Sequence, residues 1–579
     1  MTLAPDPSSA PDLPPAGAPL VARGEDWDAL RAGFRWPRQA VDPGAAFNMY
    51  EAICGRWARI APDRPALRLL RHDGEYREWT FAELDRASAR LANALTARGL
   101  GRGDRCGLLL PQTQEALLTH LACYRIGAVV VPLFTLFGED GLRMRLADSG
   151  ASHIVTDAAN LPKVLAIRDD LPALRIMWTV DRPGDGAWGF WQELAKGRDA
   201  FATVRTGPDD PAFLSYTSGT TGPPKGALHG HRIVLGHLPG FETHHDFAPQ
   251  ADDAFWTPAD WAWMGGLCNV MLPALFHGVP LLAHRMSKFD PEEAFALVAR
   301  HRIRNAFFPP TALKLLRQVE SPRAKYDYDM RSIGSGGEAL GASLLEWGNE
   351  AFGLTINEFY GQTECNLVLG NCAALFPPRP GSTGRAVPGH VVGVIDSEGN
   401  ELPDGEVGEI AVLAPDPGMF LGYWNQPEKT AEKFVDAPDG RRWMRTGDEG
   451  RREPDGHFFF SSRTDDVITS SGYRIGPTEI EDCLTGHPAI AMAAVIGLPD
   501  PVRTEAVTAY VVLRPGVDPG PDLAGELTAR VRARISPHVA PRAVHLAQSL
   551  PMTATGKIMR REVKRMALER GESHGGDEN

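Results

Sequence analysis

LSYTSGTTGPPKGALHGH, residues 214–231, is the stretch on which the reading turns. Residues 216–226 alone gather Thr217, Ser218, Thr220, Thr221, three glycines, two prolines and Lys225. Glycines let a backbone approach an anion and turn its N–H groups toward it. Hydroxyls add donors, and a lysine adds a mobile point charge. The combination suits a polyphosphate cradle, although a surface Ser/Gly linker has the same composition. It is not the P-loop of kinases and GTPases, in which Ser or Thr follows Gly-Lys; here Gly226 follows Lys225. GSGGEA (334–339), with Glu358 further on, meets a loose form of the dinucleotide fingerprint. No clean βαβ unit is legible around it, so a nicotinamide enzyme is a weak rival.

Outward from the loop, helices alternate with short apolar strands. FAELDRASARLANALTARGL (81–100) spaces its apolar side chains at three and four, as an amphipathic helix does. GRGDRCGLLLP (101–111) reads as turn then strand, and HLACYRIGAVVVPL (120–133) as helix, glycine and β-branched run. The texture returns at 152–156, 280–283, 305–308 and 331–333 and indicates buried parallel sheets of the α/β class. After about Gly389, strands alternate with DSEGN and PDGE turns, an antiparallel portion. Beyond Asp465 a compact unit follows: helix 477–485, strands 491–496 and 505–513, helix 522–535. The expected organisation is a flexible Pro-rich extension (1–45), a large domain (46–464) with a β-rich subdomain from about 385, and a small mobile α+β domain (465–579).

At 579 residues with 43% hydrophobic content, the chain can build more than one core. A net charge of −13 argues against general nucleic-acid binding and against docking on anionic lipid. Seven scattered cysteines without a CxxC pair argue against zinc and disulfides, hence for a reducing, cytoplasmic location. The first residues, MTLAPDPSSAPDLPP, lack the basic and apolar regions of a secretory signal. The apolar run at 263–283 is broken by Pro273, His277 and Pro280 and reads as core rather than a membrane span. His229, His231, His244 and His245 suit no zinc spacing and read as loop or pocket-lining side chains.

Taken together, the motifs resemble the adenylate-forming superfamily of acyl-CoA synthetases, peptide-synthetase adenylation domains and firefly-type luciferases. YTSGTTGPPKG (216–226) is followed in order by WTPADWAWMGG (256–266), GGEAL (336–340), EFYGQTE (358–364), RTGD (445–448), SSRTDDVITSSGYRIGPTEIE (461–481) and LPMTATGK (550–557). The resemblance covers roughly residues 47–564 and is nearest to the acetyl and medium-chain acyl-CoA synthetases. It implies that Thr217, Ser218, Gly219, Thr220, Thr221 and Lys225 hold the β- and γ-phosphates of ATP. Gly337, Glu338 and Ala339 would wall the adenine opposite the Tyr360 ring, with Phe359, Gly361 and Gln362 in the same segment. Glu358 would meet the adenine amine, Thr363 the α-phosphate and Glu364 the Mg2+, while Asp448, beside Arg463, would accept from the ribose. Lys557 would neutralise the two anions, carboxylate and α-phosphate, that adenylation brings together.

The same resemblance implies a second half-reaction with coenzyme A after the small domain rotates. Asp465 would be the hinge, Gly472, Tyr473 and Arg474 the thiol tunnel, and Trp263 a gate, though a core tryptophan reads the same. Acetate-specific relatives carry tryptophan where this chain has Gly361, and bulk where it has Gly265 and Gly336. The expected pocket, with Met264 and Trp261 at its far wall, is therefore wide. Each buried methylene is worth about 0.8 kcal/mol, so a medium-chain, branched or aromatic acid is expected over acetate. Loading of a carrier protein, a luciferase-like oxygenase and a non-catalytic adenylate-binding module are the alternatives. A homo-oligomer and regulatory acylation of Lys557 are left open.

Overall fold

The β-branched run at Val129–Pro132 is buried on both faces and lies at the centre of a sheet, as its composition demands. The computed structural model describes residues 10–71, 73–217, 224–286, 288–463, 466–470, 473–500, 503–520, 522–553 and 556–570, without the side chains of 462, 473 and 474. Among the described residues there are three sheets, of fourteen, eight and five strands.

In the eight-stranded sheet, Pro211–Thr217, Val129–Pro132, Arg105–Leu109, His153–Thr156, Ile176–Thr179 and Trp188–Gly189 pair in parallel. Lys225–Gly230 then folds back antiparallel on Pro211–Thr217. The expected amphipathic helix is Phe81–Ala97, started by a capping box in which Thr80 and Glu83 satisfy each other's backbone N–H groups. Gln114–Ile126 is buried along its whole length and stops at Gly127, whose φ of 75° turns the chain into the next strand.

The fourteen-stranded sheet has a parallel centre, including Asn305–Phe307, Ser332–Gly336 and Asn357–Gln362. It continues without a break into antiparallel strands through Asn366–Gly370, Gly384–Ala386, His457–Arg463 and Arg442–Arg452. The antiparallel portion read after Gly389 is thus an extension of the parallel sheet. Ligands gather at the carboxyl ends of parallel strands, and there Gly336 leads to Gly337 and Asn357–Gln362 presents Tyr360. The five-stranded sheet carries the hairpin Ile490–Asp500 with Thr504–Leu513, each strand longer than expected. Helices Pro477–Thr485 and Leu523–Arg534 close a core of its own around Ile480, Leu484, Val495, Val507 and Leu527.

Three expectations need correction. Residues 10–45 are packed rather than flexible. The backbone N–H groups of Leu20 and Val21 donate to the buried carboxylate of Glu242 at 2.9 and 2.7 Å, with His277 at 3.1 Å from the same group. Trp27 and Trp36 are buried, and the Trp36 indole donates to the Gly389 carbonyl at 3.0 Å. A Pro-rich segment has no periodicity to betray such docking, because its partners lie far along the chain. Secondly, a βαβ unit does bracket GSGGEA: Ser332–Gly336, helix Ala342–Phe352 and Asn357–Gln362. The helix begins only after Gly341, however, so the glycines do not open into its N-terminus as a dinucleotide loop requires. Thirdly, the four histidines lie in or beside the strand Lys225–Gly230 and the helix Ile233–His244 and are buried. Burial pushes His229 down to about 3 and His231 down to about 4, so they are neutral core groups.

The run at 263–283 folds as a short π turn, Leu267–Met271, the helix Leu272–Phe276 and the strand Leu281–Ala283. Among the described residues no helix is long and apolar enough to cross a membrane. Trp36→Ala is expected to cost about 3–5 kcal/mol, as truncation of a buried tryptophan does. Thermal unfolding checks this, and an unchanged midpoint would show that the segment is only laid on the surface.

Candidate active site

One cleft of about 3040 Å³ runs between the two large sheets and the small one, lined by Thr217, Lys225, Trp263, Gly337, Tyr360, Glu364, Asp448, Arg463 and Lys557 among others. Residues drawn from seven separate motifs of the sequence therefore meet in one place. Ser218, Gly219, Thr220, Thr221, Asp465 and Gly472 lie outside the described residues, as do the side chains of Tyr473 and Arg474.

At the phosphate end, Thr217 and Lys225 face each other as the last pair of an antiparallel hairpin, and Thr217 Oγ1 donates to the Lys225 carbonyl at 3.3 Å. The hairpin thus ends, among the described residues, with Thr217 and Lys225 at the cleft. The Lys225 ammonium lies 4.7 Å from the centre of the Tyr423 ring. Burial lowers its pKa, and Glu364 opposes that shift. Glu364 is buried, and its Oε1 accepts from the Tyr423 hydroxyl at 2.6 Å. A fixed carboxylate beside the phosphate hairpin fits Mg2+, which takes one or two protein carboxylates and completes its shell with phosphate and water.

The sugar end is built on Asp448 and Arg463, neighbours across Arg442–Arg452 and His457–Arg463. Asp448 Oδ2 accepts from the Tyr360 hydroxyl and from Gln362 Nε2, both at 2.6 Å. Asp448 Oδ1 is buried without a hydrogen-bond partner, its ion-pair neighbour Arg463 Nε lying 3.7 Å away. An unpaired buried acceptor is costly, and a ribose hydroxyl would relieve it. Burial raises the Asp448 pKa, with Arg463, Tyr360 and Gln362 pulling it back.

Glu358 lines the cleft as expected, but of its two groups that could meet the adenine amine, carbonyl or side chain, the carbonyl is committed elsewhere. Its carbonyl accepts from both Asn371 N (3.0 Å) and Asn371 Nδ2 (2.8 Å), and its Oε1 accepts from Leu340 N at 3.2 Å. Both lone pairs of the carbonyl are used inside the protein. Burial pushes the carboxyl up to about 8, so it is a neutral brace between the loop after Ala339 and the strand end at Asn371.

Lys557 enters from the small sheet. Thr553 N donates to the Lys557 carbonyl at 2.8 Å and Lys557 N to Thr553 Oγ1 at 3.1 Å, closing a tight loop. Its Cε lies 3.7 Å from where a Cβ on Gly337 would stand. Gly337 has φ 99°, which only glycine adopts without strain, and the Trp263 ring lies 3.2 Å from the same Cβ position. Burial lowers the Lys557 pKa from its usual 10.5, while Glu338, Asp448 and Glu364 raise it.

The wide acyl pocket expected from three glycines is not what these residues build. A Cβ on Gly265 would meet the Trp263 ring at 2.6 Å and Phe307 at 2.8 Å, and one on Gly336 would meet Phe359 at 2.6 Å. Aromatic rings already occupy both spaces. At Gly361 a Cβ would lie 1.8 Å from the Asn366 carbonyl oxygen, so that glycine is imposed by backbone approach in the turn between two strands. Of the expected pocket residues, Trp263 and Gly361 line the cleft, whereas Met264, Gly265 and Gly336 sit behind it. Trp263, Phe307 and Phe359 form a row with 5.6 Å between successive ring centres. Sequence reasoning missed Tyr423, Thr311 and Lys314, which line the cleft. Tyr423, in LGYWNQ, has no spacing that announces a link to Glu364; only pairing of Gly422–Tyr423 with Lys225–Gly230 brings it there.

Two family models cover most of the chain: AMP-binding enzyme over residues 54–424 and AMP-binding enzyme C-terminal domain over 479–557. Acyl-coenzyme A synthetase ACSM2, mitochondrial, from Rattus norvegicus is 34% identical over 546 residues, 92% of this chain and 93% of its own. Acetyl-coenzyme A synthetase from Bacillus subtilis (strain 168) is 32% identical, over 85% of each chain. Among solved structures, the anthranilate CoA ligase AuaEII in complex with anthranoyl-AMP is 25% identical, with a TM-score of 0.84, over 92% of this chain and 99% of that one. Fold and cleft define an AMP-forming acid–thiol ligase. More particularly, the chain belongs to the AMP-binding enzyme family, within its acyl-CoA synthetases.

Two outcomes follow from the geometry. If adenylation uses the charged Lys557 ammonium, a lowered pKa means that charge is lost earlier as pH rises. The rate of acid-dependent pyrophosphate exchange is therefore expected to fall on the alkaline side below pH 10.5, the usual lysine value; a limb at or above it would contradict the burial. Gly361→Ala is expected to slow turnover of every acid alike and to lower the melting temperature. A selective shift in the chain-length profile would restore Gly361 as a pocket wall.

Proposed function

We propose that the cleft activates a carboxylic acid larger than acetate as its acyl-adenylate and then passes the acyl group to coenzyme A, with Lys557 serving the first step. The observation that carries this reading is the single cleft holding Lys557 against Gly337 between Asp448 and Glu364. The carboxylate oxygen attacks the α-phosphorus of ATP, and pyrophosphate departs toward Thr217 and Lys225. Lys557 offsets the repulsion between the two anions and the charge that builds on the phosphorus. Thr363 binds the α-phosphate, Asp448 fixes the ribose, and Tyr360 faces Gly337–Ala339 across the adenine. Mg2+, held at Glu364, would neutralise the phosphates as they separate. In the second half-reaction the thiol of coenzyme A attacks the acyl carbonyl and AMP leaves.

A small domain of residues 465–579, turning about Asp465, serves both half-reactions; its separate core around Ile480 and Leu484 supports motion as a unit. Gly472 and its neighbours would then line the thiol path, with Trp263 moving aside. A cytoplasmic location goes with this reading, supported by seven free cysteines; the ACSM2 relative is named mitochondrial.

Trp263 and Phe359, which line the cleft with Phe307 packed behind them, make the acyl wall aromatic, which favours a flat ring or a short branched chain by stacking and apolar burial. With a panel of acetate, butyrate, hexanoate and benzoate, AMP release is expected only with acid present and to rise with coenzyme A. kcat/KM for benzoate or hexanoate is expected to exceed that for acetate by more than tenfold, since several buried carbons at about 0.8 kcal/mol each suffice. Acetate as the best acid would refute the acyl assignment, and AMP release indifferent to coenzyme A would refute the ligase.

A further inference from the structure

Arg560 starts the helix Arg560–Glu569, three residues beyond Lys557, and its guanidinium holds two carboxylates on different segments. Nε donates to Glu481 Oε1 at 2.7 Å and Nη2 binds the other oxygen of that carboxylate, a bidentate fork. Nη1 donates to Asp466 Oδ2 at 2.9 Å. Glu481 is anchored in turn, since its Oε1 accepts from Val495 N at 2.8 Å in the central hairpin of the small sheet. Asp466 N donates to the carbonyl of Arg463, the residue facing Asp448 at the end of its strand. One side chain thus ties the segment leaving the sugar-binding strand to the start of the helix that follows Lys557. All three side chains are largely buried, and a buried ion pair is weak evidence for stability but can fix one arrangement among several.

We infer that Arg560 is a positioning residue for adenylation: through Asp466 it sets where Lys557 stands relative to Asp448 and the α-phosphate. The inference rests on the ligase reading and adds to it a residue outside the nucleotide contacts. Misplacement of a reacting group by about 1 Å costs on the order of a hundredfold in rate, whereas the thioester step has no use for Lys557.

The test uses full-length protein carrying Arg560→Met, Arg560→Lys, Asp466→Asn or Arg560→Met with Asp466→Asn. Acid-dependent ATP–pyrophosphate exchange reads the first half-reaction, and thioester formation from supplied acyl-adenylate and coenzyme A reads the second. Arg560→Met is expected to lower kcat of exchange about tenfold to a hundredfold, with less change in KM for ATP and little in thioester formation. Arg560→Lys keeps the charge without the fork and recovers part of the rate. The double variant is expected to be no worse than Arg560→Met, because one tie is removed only once. Equal losses in both half-reactions, additive losses, or unchanged exchange would overturn the inference. Should Arg560→Met fail to fold, Arg560→Lys and Asp466→Asn decide the matter by the same half-reaction ratio. A wild type silent in both half-reactions would overturn the ligase reading and this inference with it; an active wild type with equal losses overturns this inference alone.

Discussion

A cation borne on one sheet must reach the bare backbone at the end of a strand in another, and the rest of the molecule answers to that contact. Gly337 supplies the bare backbone: at φ 99° and without a Cβ it admits both the Trp263 ring and the Lys557 arm. The parallel centre of the large sheet brings Gly337 and Tyr360 to adjacent strand ends, and the antiparallel extension carries Asp448 to the Tyr360 hydroxyl. The small sheet lines the far side of the cleft, and the loop before the helix Arg560–Glu569 brings Lys557 to it.

Electrostatics explains why so many carboxylates surround a site for anions. Glu338, Asp448 and Glu364 all raise the Lys557 pKa against the effect of burial. Without them a desolvated ammonium would lose its proton and its use. The acids are held in turn by neutral donors, Tyr360 and Gln362 on Asp448 and Tyr423 on Glu364, so the cleft keeps capacity for the charge that substrates bring.

Much of this was legible in the sequence because the chemistry demands residue types in a fixed order. The α/β class followed from apolar strands buried on both faces, and Thr217, Lys225, Glu364, Asp448 and Lys557 do line one cleft. What escaped were properties of packing. Glycine reads as empty space in a sequence, but at Gly265 and Gly336 the space belongs to neighbouring rings, and at Gly361 to a carbonyl. The strand Ser332–Gly336 ends in Gly-Ser-Gly, which reads as loop until parallel neighbours on both sides supply its hydrogen bonds. Glu358 lies within the expected motif, yet Asn371, a residue that no local pattern links to it, uses up its carbonyl.

The docked first segment bears on the order in which the chain is made. Leu20 and Val21 find their acceptor 222 and 221 residues later, and Trp36 finds its own 353 residues later. Beside near partners such as Gln39 and Trp57, the segment therefore has ties that close only once the helix ending at His244, and then the turn at Gly389, have been made. Domains fold as units during synthesis and long-range contacts close late. The proline-rich segment is thus a latch that shuts late, joining two parts of the large fold only after both exist.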